Sequence, residues 1–279
     1  MTHLEPSQIR PAQFADDQWY PSTARELQQT IQAYLDSALD RGLGRALGLV
    51  APHAGIRFSG GIAAHAYRQL QGQKYDCVVV ISPLHRHFFG TYTVTRYRYY
   101  STPLGLIPVA EDLVAELERL LPIARSGRDD EHSLEIQLPF LQIVLGEFRL
   151  LPIMMGEQSL DACQALAQAL VAVLSNRSSL IVASSDLSHF HPYDVALRLD
   201  NIVKERIENY DPEGLAQALA LGQAEACGGG PIITAMLACR DLGASRAVIL
   251  AQGNSGDVWV DRKSVVGYLA AAFYAGDKK

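Results

Sequence analysis

The 279-residue chain contains no apolar stretch long enough to cross a bilayer as a helix. It also lacks any dense run of lysine or arginine. With a formal net charge of −6, it has no electrostatic footprint suited to a phosphate backbone, so nucleic acid is not an expected partner. Its four cysteines, Cys77, Cys163, Cys227 and Cys239, are scattered without a CxxC pair. Neither a zinc ribbon nor a disulfide framework is indicated, and reduced thiols are the default. The opening MTHLEPSQIRPAQF has no basic segment followed by an apolar one, so no secretory signal is read there and a cytoplasmic protein is expected, without a membrane partner. No repeat period and no low-complexity linker divide the chain, which predicts one domain over residues 1–279.

What is present is an abundance of buried-type residues, 48% of the chain, in segments of alternating character. Leu27, Ile31, Leu35 and Leu39 recur at helical spacing, predicting an amphipathic helix over 22–39. Short apolar, partly β-branched runs at 46–51, 75–82, 148–155, 179–184, 246–251 and 265–272 predict buried strands. Helical periods fill 61–70, 111–121, 134–145, 160–174, 195–208 and 232–242. Strands alternating with helices imply an α/β fold, an α-β-α sandwich whose sheet is covered on both faces. The segment 91–99, TYTVTRYRY, suits a strand with one wet face, at an edge or as an antiparallel excursion that makes the central sheet mixed.

In such sheets ligand sites form beyond the strand ends. Three predicted strands run directly into polar turns: Pro52-His53-Ala54-Gly55, Pro83-Leu84-His85-Arg86-His87 and Ser185-Asp186-Leu187-Ser188-His189. A single histidine after a strand is accounted for by capping a turn. Three of them, His53, His85 and His189, point to a convergent site, because independent turns have no reason to share that residue type. A fourth segment, Cys227-Gly228-Gly229-Gly230-Pro231, opens a helix. Cys227 reads either as an incidental residue of a Gly-Pro turn or as a ligand; the glycines permit close approach, and a helix N-terminus favours a thiolate. Asp186 is a metal ligand, the orienting partner of a histidine, or a turn cap. His132 follows the acidic run Asp129-Asp130-Glu131, read as solvated, and is placed to face the pocket. His3, His65, His87 and His191 are left outside the site.

Taken in order, Arg10-Pro11 with Trp19-Tyr20-Pro21, APHAGIRFSGGIAAHAY (51–67), ISPLHRH (81–87), DDEHSLEIQLPFLQ (129–142), LPIMMG (151–156), SSDLSHF (184–190), ACGGGPI (226–232) and SGDVWVDRKSVVGYLAAAF (255–273) resemble the Memo family across nearly the whole chain. In prokaryotes this family includes the B protein of AmmeMemoRadiSam systems. The resemblance implies AMMECR-type and radical SAM proteins as partners. It also implies the fold of the class III extradiol ring-cleaving dioxygenases (LigB-like), with a cysteine where their iron site has a carboxylate. Carried over by motif, the metal ligands would be His53, His85 and Cys227. Asp186 and His189 would line the cavity, His132 would lie close by, and these three would take the catalytic roles, with His189 the acid/base. The chain has SPLH where GPSH is usual and GIRFSG where an aromatic often follows PHAG, so Leu84 and Arg57 would alter the pocket's shape and polarity.

Two functions follow from this. The first is an iron-dependent or copper-dependent oxidoreductase of dioxygenase type, with open positions on Fe(II). The second is metal handling, or binding of a peptide, small molecule or partner protein, without turnover. A thiolate is softer than a carboxylate, favours copper(I) or zinc, and is itself open to oxidation.

Overall fold

A computed structural model describes residues 5–87 and 89–275, so His3 lies outside the described residues. In chain order the first elements are β1 (Ile9–Arg10), α1 (Ala24–Ser37), β2 (Ala46–Ala51), α2 (Ile56–Arg68), β3 (Cys77–Pro83), β4 (Tyr92–Thr95), β5 (Tyr99–Thr102) and β6 (Gly105–Pro108). There follow α3 (Glu111–Glu118), β7 (Ile123–Ser126), α4 (His132–Glu135), α5 (Gln137–Leu145), β8 (Arg149–Met155), α6 (Leu160–Leu174) and β9 (Ser179–Ser184). The chain continues through β10 (His189–His191), α7 (Tyr193–Glu208), α8 (Pro212–Ala220), α9 (Gly229–Asp241), β11 (Ala244–Asn254) and β12 (Val265–Ala275).

Helix α1 shows how pattern becomes structure. Thr23 caps it by accepting the Glu26 N–H at 3.3 Å, and its i, i+4, i+8 stripe of Leu27, Ile31 and Leu35 is fully buried. Helix α2 begins at Ile56 rather than at 61, and Gly60 lies inside it, where the Tyr34 ring of α1 closes in. A Cβ on Gly60 would sit 2.8 Å from Tyr34 Cε2. Helix α8 was not legible as a separate period; Pro212 at its first turn and the Asp211 cap, accepting the Gly214 N–H at 2.9 Å, start it.

Among the described residues the main sheet has nine strands and is mixed. Strands β2, β9, β3 and β8 lie side by side in that order, all parallel. Strand β12 joins β2 antiparallel, and β11 and β10 pair antiparallel with β12. On the other flank β4 runs antiparallel to β8, and β7 runs parallel to β4. The expected antiparallel excursion is therefore present, but the one wet face is not. Tyr92, Thr93, Val94 and Thr95 are all buried, Tyr92 donating its hydroxyl to the Ala162 carbonyl of α6 at 2.8 Å, and the exposed Arg96 and Arg98 fall beyond the end of β4. The chain then leaves the sheet, and β5 pairs with β1 and β6 in a small separate sheet. Helix α9 packs against β2, β9 and β3 with α6 and α8 beside it, whereas α2 packs against β2, β11 and β12 with α1 and α5. Buried apolar residues from Phe14 to Tyr274 form one cluster. Among the described residues no helix is long and apolar enough to cross a membrane.

Candidate metal centre

Because β2, β3, β8 and β9 are parallel and in register, their C-terminal ends share one edge: Ala51 pairs with Ser184, and Pro83 with Met155. The turns beyond that edge carry His53, His85 and Asp186. Cys227 is brought to the same edge from the opposite direction by the turn that starts α9. The Cys227 N–H donates to the Asp186 carbonyl at 3.2 Å, and the Gly228 N–H donates to Ser185 Oγ at 2.9 Å. A Cβ on Gly228 would lie 2.2 Å from the Ser184 carbonyl oxygen, so only glycine lets the turn approach this closely.

The ligand-type atoms of His53, His85 and Cys227 all lie within 4.8 Å of one another, with Cys227 Sγ 3.2 Å from His53 Nε2. His53 is buried, Cys227 partly so, and His85 is exposed. Each histidine is oriented through its other ring nitrogen. Ser184 Oγ lies 2.9 Å from His53 Nδ1, accepts from Gln137 Nε2 at 2.7 Å, and lies 2.6 Å from the Ser133 carbonyl. A carbonyl can only accept, so the single Ser184 hydroxyl proton points there. His53 Nδ1 must then be the donor, and the Nε2 lone pair faces Cys227. Gln137 is itself fixed, with Nε2 on the Pro52 carbonyl at 3.1 Å and Oε1 accepting from the Tyr67 hydroxyl. Burial, reinforced by the neighbouring His132 and His85, holds His53 well below the ordinary imidazole range, so it is a neutral donor ring.

Glu131 does for His85 what Ser184 does for His53. Its carboxylate accepts the His85 N–H at 2.7 Å and His85 Nδ1 at 2.9 Å, leaving Nε2 as the ring's free nitrogen. Burial pushes the Glu131 carboxyl up, but His132 and His85 outweigh it and hold the group well below the usual carboxylate range. The acidic run is thus not solvated as read from sequence: Asp129 and Glu131 are buried, capped from below by Arg10. Glu131 is one of the site residues that sequence reasoning missed.

His132 lies beside the two histidines. Its ring stacks on His85 at 4.8 Å, meets His53 edge-on at 5.4 Å, and is covered by Trp19 at 4.5 Å. Its Nδ1 is buried without a hydrogen-bond partner among the described residues, although Glu131 Oε1 lies 3.1 Å away. His189 lines a cavity of about 480 Å³ that reaches Cys227, together with Gln158, Leu187 and Glu225. The expected His189–Asp186 pairing is not found. His189 Nδ1 bonds the Leu187 carbonyl at 2.8 Å, whereas Asp186 turns to the PHAG loop, accepting the N–H groups of His53 at 2.8 Å and Ala54 at 3.3 Å. Burial raises the Asp186 carboxyl.

The helix N-terminus does not produce a ready thiolate at Cys227 either. Burial, with the Asp186 carboxylate beside it, pushes the thiol up, so a metal or another electrophile would have to displace the proton. Arg57 stacks against Phe58 and Trp259, with its guanidinium 4.7 and 5.3 Å from the two ring centres. His87 lies 3.4 Å from Asp130, and His191 binds Glu225 at 2.9 Å. His65 lies within α2.

The Memo family profile, described as a Memo-like protein, matches residues 10–272. A MEMO1 family protein of Ignicoccus hospitalis is 34% identical over 281 residues, covering 95% of this chain and 98% of that protein. Another from Methanosarcina mazei is 35% identical over 257 residues, covering 91% and 95%. Among solved structures, an uncharacterised protein of Escherichia coli K12 superposes with a TM-score of 0.58 at 15% identity, over 83% of this chain and all of that one, which is a likeness of fold alone. By profile and by relatives along nearly its whole length, the chain belongs to the Memo family.

Proposed function

We propose that this protein binds one first-row transition-metal ion through His53 Nε2, His85 Nε2 and Cys227 Sγ, and that this ion is the centre of its function. The observation that carries the proposal is the pairing of convergence with orientation. Three ligand-type atoms from three turns lie within 4.8 Å, and both histidines have their other nitrogen committed to Ser184 or Glu131. The donor set fits such an ion. Thiolate and imidazole bonded at about 2.3 and 2.0 Å to one metal lie roughly 3.1–3.6 Å apart, and Cys227 Sγ and His53 Nε2 are separated by 3.2 Å.

Iron(II) is the first candidate and copper or zinc the alternatives; iron or copper would supply redox chemistry at open coordination positions. In that oxidoreductase reading, within an α-β-α sandwich of the extradiol-dioxygenase type, His189 presents Nε2 to the cavity as the acid/base. Its Nδ1 is tied to the Leu187 carbonyl. His132 and Trp19 wall the other side and limit water. Cys227 favours a second reading, in which the same ion is held without turnover, for metal handling or for docking a peptide or partner of AMMECR or radical SAM type. The soft thiolate suits copper(I) or zinc better than iron(II).

Elemental analysis of protein purified without oxygen, followed by titration with Fe(II), Cu(I) and Zn(II), tests the proposal. One equivalent bound by wild type and lost in Cys227→Ser supports it; no binding of any of the three overturns it. Catechol-dependent oxygen uptake by the iron form separates the readings, since uptake supports the enzyme and its absence with metal retained supports the binder.

A further inference from the structure

We infer that Gln158 is the positioning residue that sets Cys227 at the metal centre, an inference that rests on the metal-binding reading above. Gln158 stands three residues beyond the end of β8, so the fourth parallel strand also delivers a side chain to the edge that bears His53, His85 and Asp186. Its amide spans the turn that carries Cys227. Oε1 accepts the Gly230 N–H at 2.7 Å, and Nε2 donates to the Cys227 carbonyl at 2.9 Å. A donor at one end and an acceptor at the other fix which way the amide lies.

Helix α9 gives this arrangement its purpose. Its first turn has no side-chain cap of its own, since the N-cap is Gly228. A local Ser, Thr, Asp or Asn would satisfy those N–H groups without reference to the sheet. Here they are satisfied from two strand ends: Ser185 beyond β9 holds Gly228, and Gln158 beyond β8 holds Gly230. The turn is therefore registered against the same edge that positions both histidines. Gly230 is glycine for this reason, because a Cβ there would lie 2.7 Å from Gln158 Cβ and 3.1 Å from its Cα. Cys163 of α6 adds a third tie, with Sγ 3.5 Å from the Gly230 carbonyl. Without the Gln158 amide, the β9 contacts would hold one side of the turn and the long Cys163 contact alone the other, which leaves Sγ freer to swing from His53.

The test uses Co(II) added anaerobically to the full chain, reading the sulfur-to-cobalt charge-transfer absorption per bound ion. Gln158→Met fills similar volume with no hydrogen bond. It is expected to bind Co(II) about tenfold more weakly and to lose absorption per bound ion, while the Gly230 N–H left without its acceptor lowers the thermal midpoint. A residue needed only for stability would move the midpoint and leave the absorption of each bound cobalt unchanged. Gln158→Glu keeps the acceptor for Gly230 and loses the donor to Cys227, so an intermediate absorption is expected. Wild-type absorption and affinity in Gln158→Met overturn the inference, and if that variant does not fold, wild-type absorption in Gln158→Glu does so alone. Should wild type itself show no sulfur-to-cobalt absorption, the metal-binding reading fails. Amide exchange at residues 227–230 then decides Gln158 separately: faster exchange in Gln158→Met supports its hold on the turn, and unchanged exchange overturns it.

Discussion

Ser184 and Glu131 determine what the two histidines can do, because each removes one ring nitrogen from use and aims the other. The residue-scale prediction concerns Glu131→Gln. The amide has one acceptor oxygen for a place where the carboxylate receives the His85 main-chain N–H, His85 Nδ1 and the Ser133 N–H. Its NH2 faces at least one of those donors. His85 should lose its fixed tautomer and metal affinity should fall about tenfold or more, measured by Zn(II) titration against a chromophoric chelator; unchanged affinity would show that Glu131 does not orient the ligand. The histidines were legible in the sequence because they follow buried strands. Glu131 was not, since its burial depends on Arg10, 121 residues away, whose guanidinium donates to the Glu131 carbonyl at 3.2 Å. Cys227 was legible as a ligand type but not in its protonation: the helix terminus that favours a thiolate is visible in sequence, and the burial and Asp186 that outweigh it are not.

At the scale of elements, strand periodicity located the four parallel strands to within a few residues, because a strand buried on both faces leaves a continuous apolar run. Segment 91–99 misled for the converse reason. Its alternation reports β-propensity, but its exposed charges, Arg96 and Arg98, belong to the loop after β4, and where the strand ends is not written in the segment. Helix α7 and strand β12 carry a prediction of their own. Asp200 is buried against β12 at a point where only glycine fits, since a Cβ on Gly267 would lie 2.0 Å from Asp200 Oδ2. Oδ1 accepts the Ser188 N–H at 3.0 Å, Oδ2 has no hydrogen-bond partner among the described residues, and burial pushes the carboxyl up to about 6. The folded chain therefore holds a proton that the unfolded chain releases near pH 4. Stability falls as pH rises from about 4 to about 6 and stays lower above that, by roughly 3 kcal/mol for this group. Asp200→Asn should melt higher than wild type at pH 7, and the difference should vanish below about pH 4; thermal melts across that range check it, and a constant difference would contradict it.

At the scale of the whole molecule, the N-terminal arm is a wall of the site. Arg10 is fully buried, ion-paired with Glu135 and with Asp129 at 3.3 Å. Glu135 in turn accepts the Tyr20 hydroxyl and the N–H groups of Gln13 and Phe14, and the arm so anchored lays Trp19 on His132. Arg10→Met would leave Asp129 and Glu135 as buried charges without a cation, at a cost of about 3–5 kcal/mol, read from urea denaturation; a cost below about 1 kcal/mol would show the arm to be dispensable to the fold. None of this was legible from an irregular stretch rich in proline and alanine, because its order comes from carboxylates more than a hundred residues away. Convergence of the three turns matters for function only if they share one ion. X-ray absorption of the Zn(II)-loaded protein tests this most directly. One sulfur at about 2.3 Å with imidazole nitrogens at about 2.0–2.1 Å is the predicted first coordination sphere, and a sphere of nitrogen and oxygen with no sulfur would contradict it.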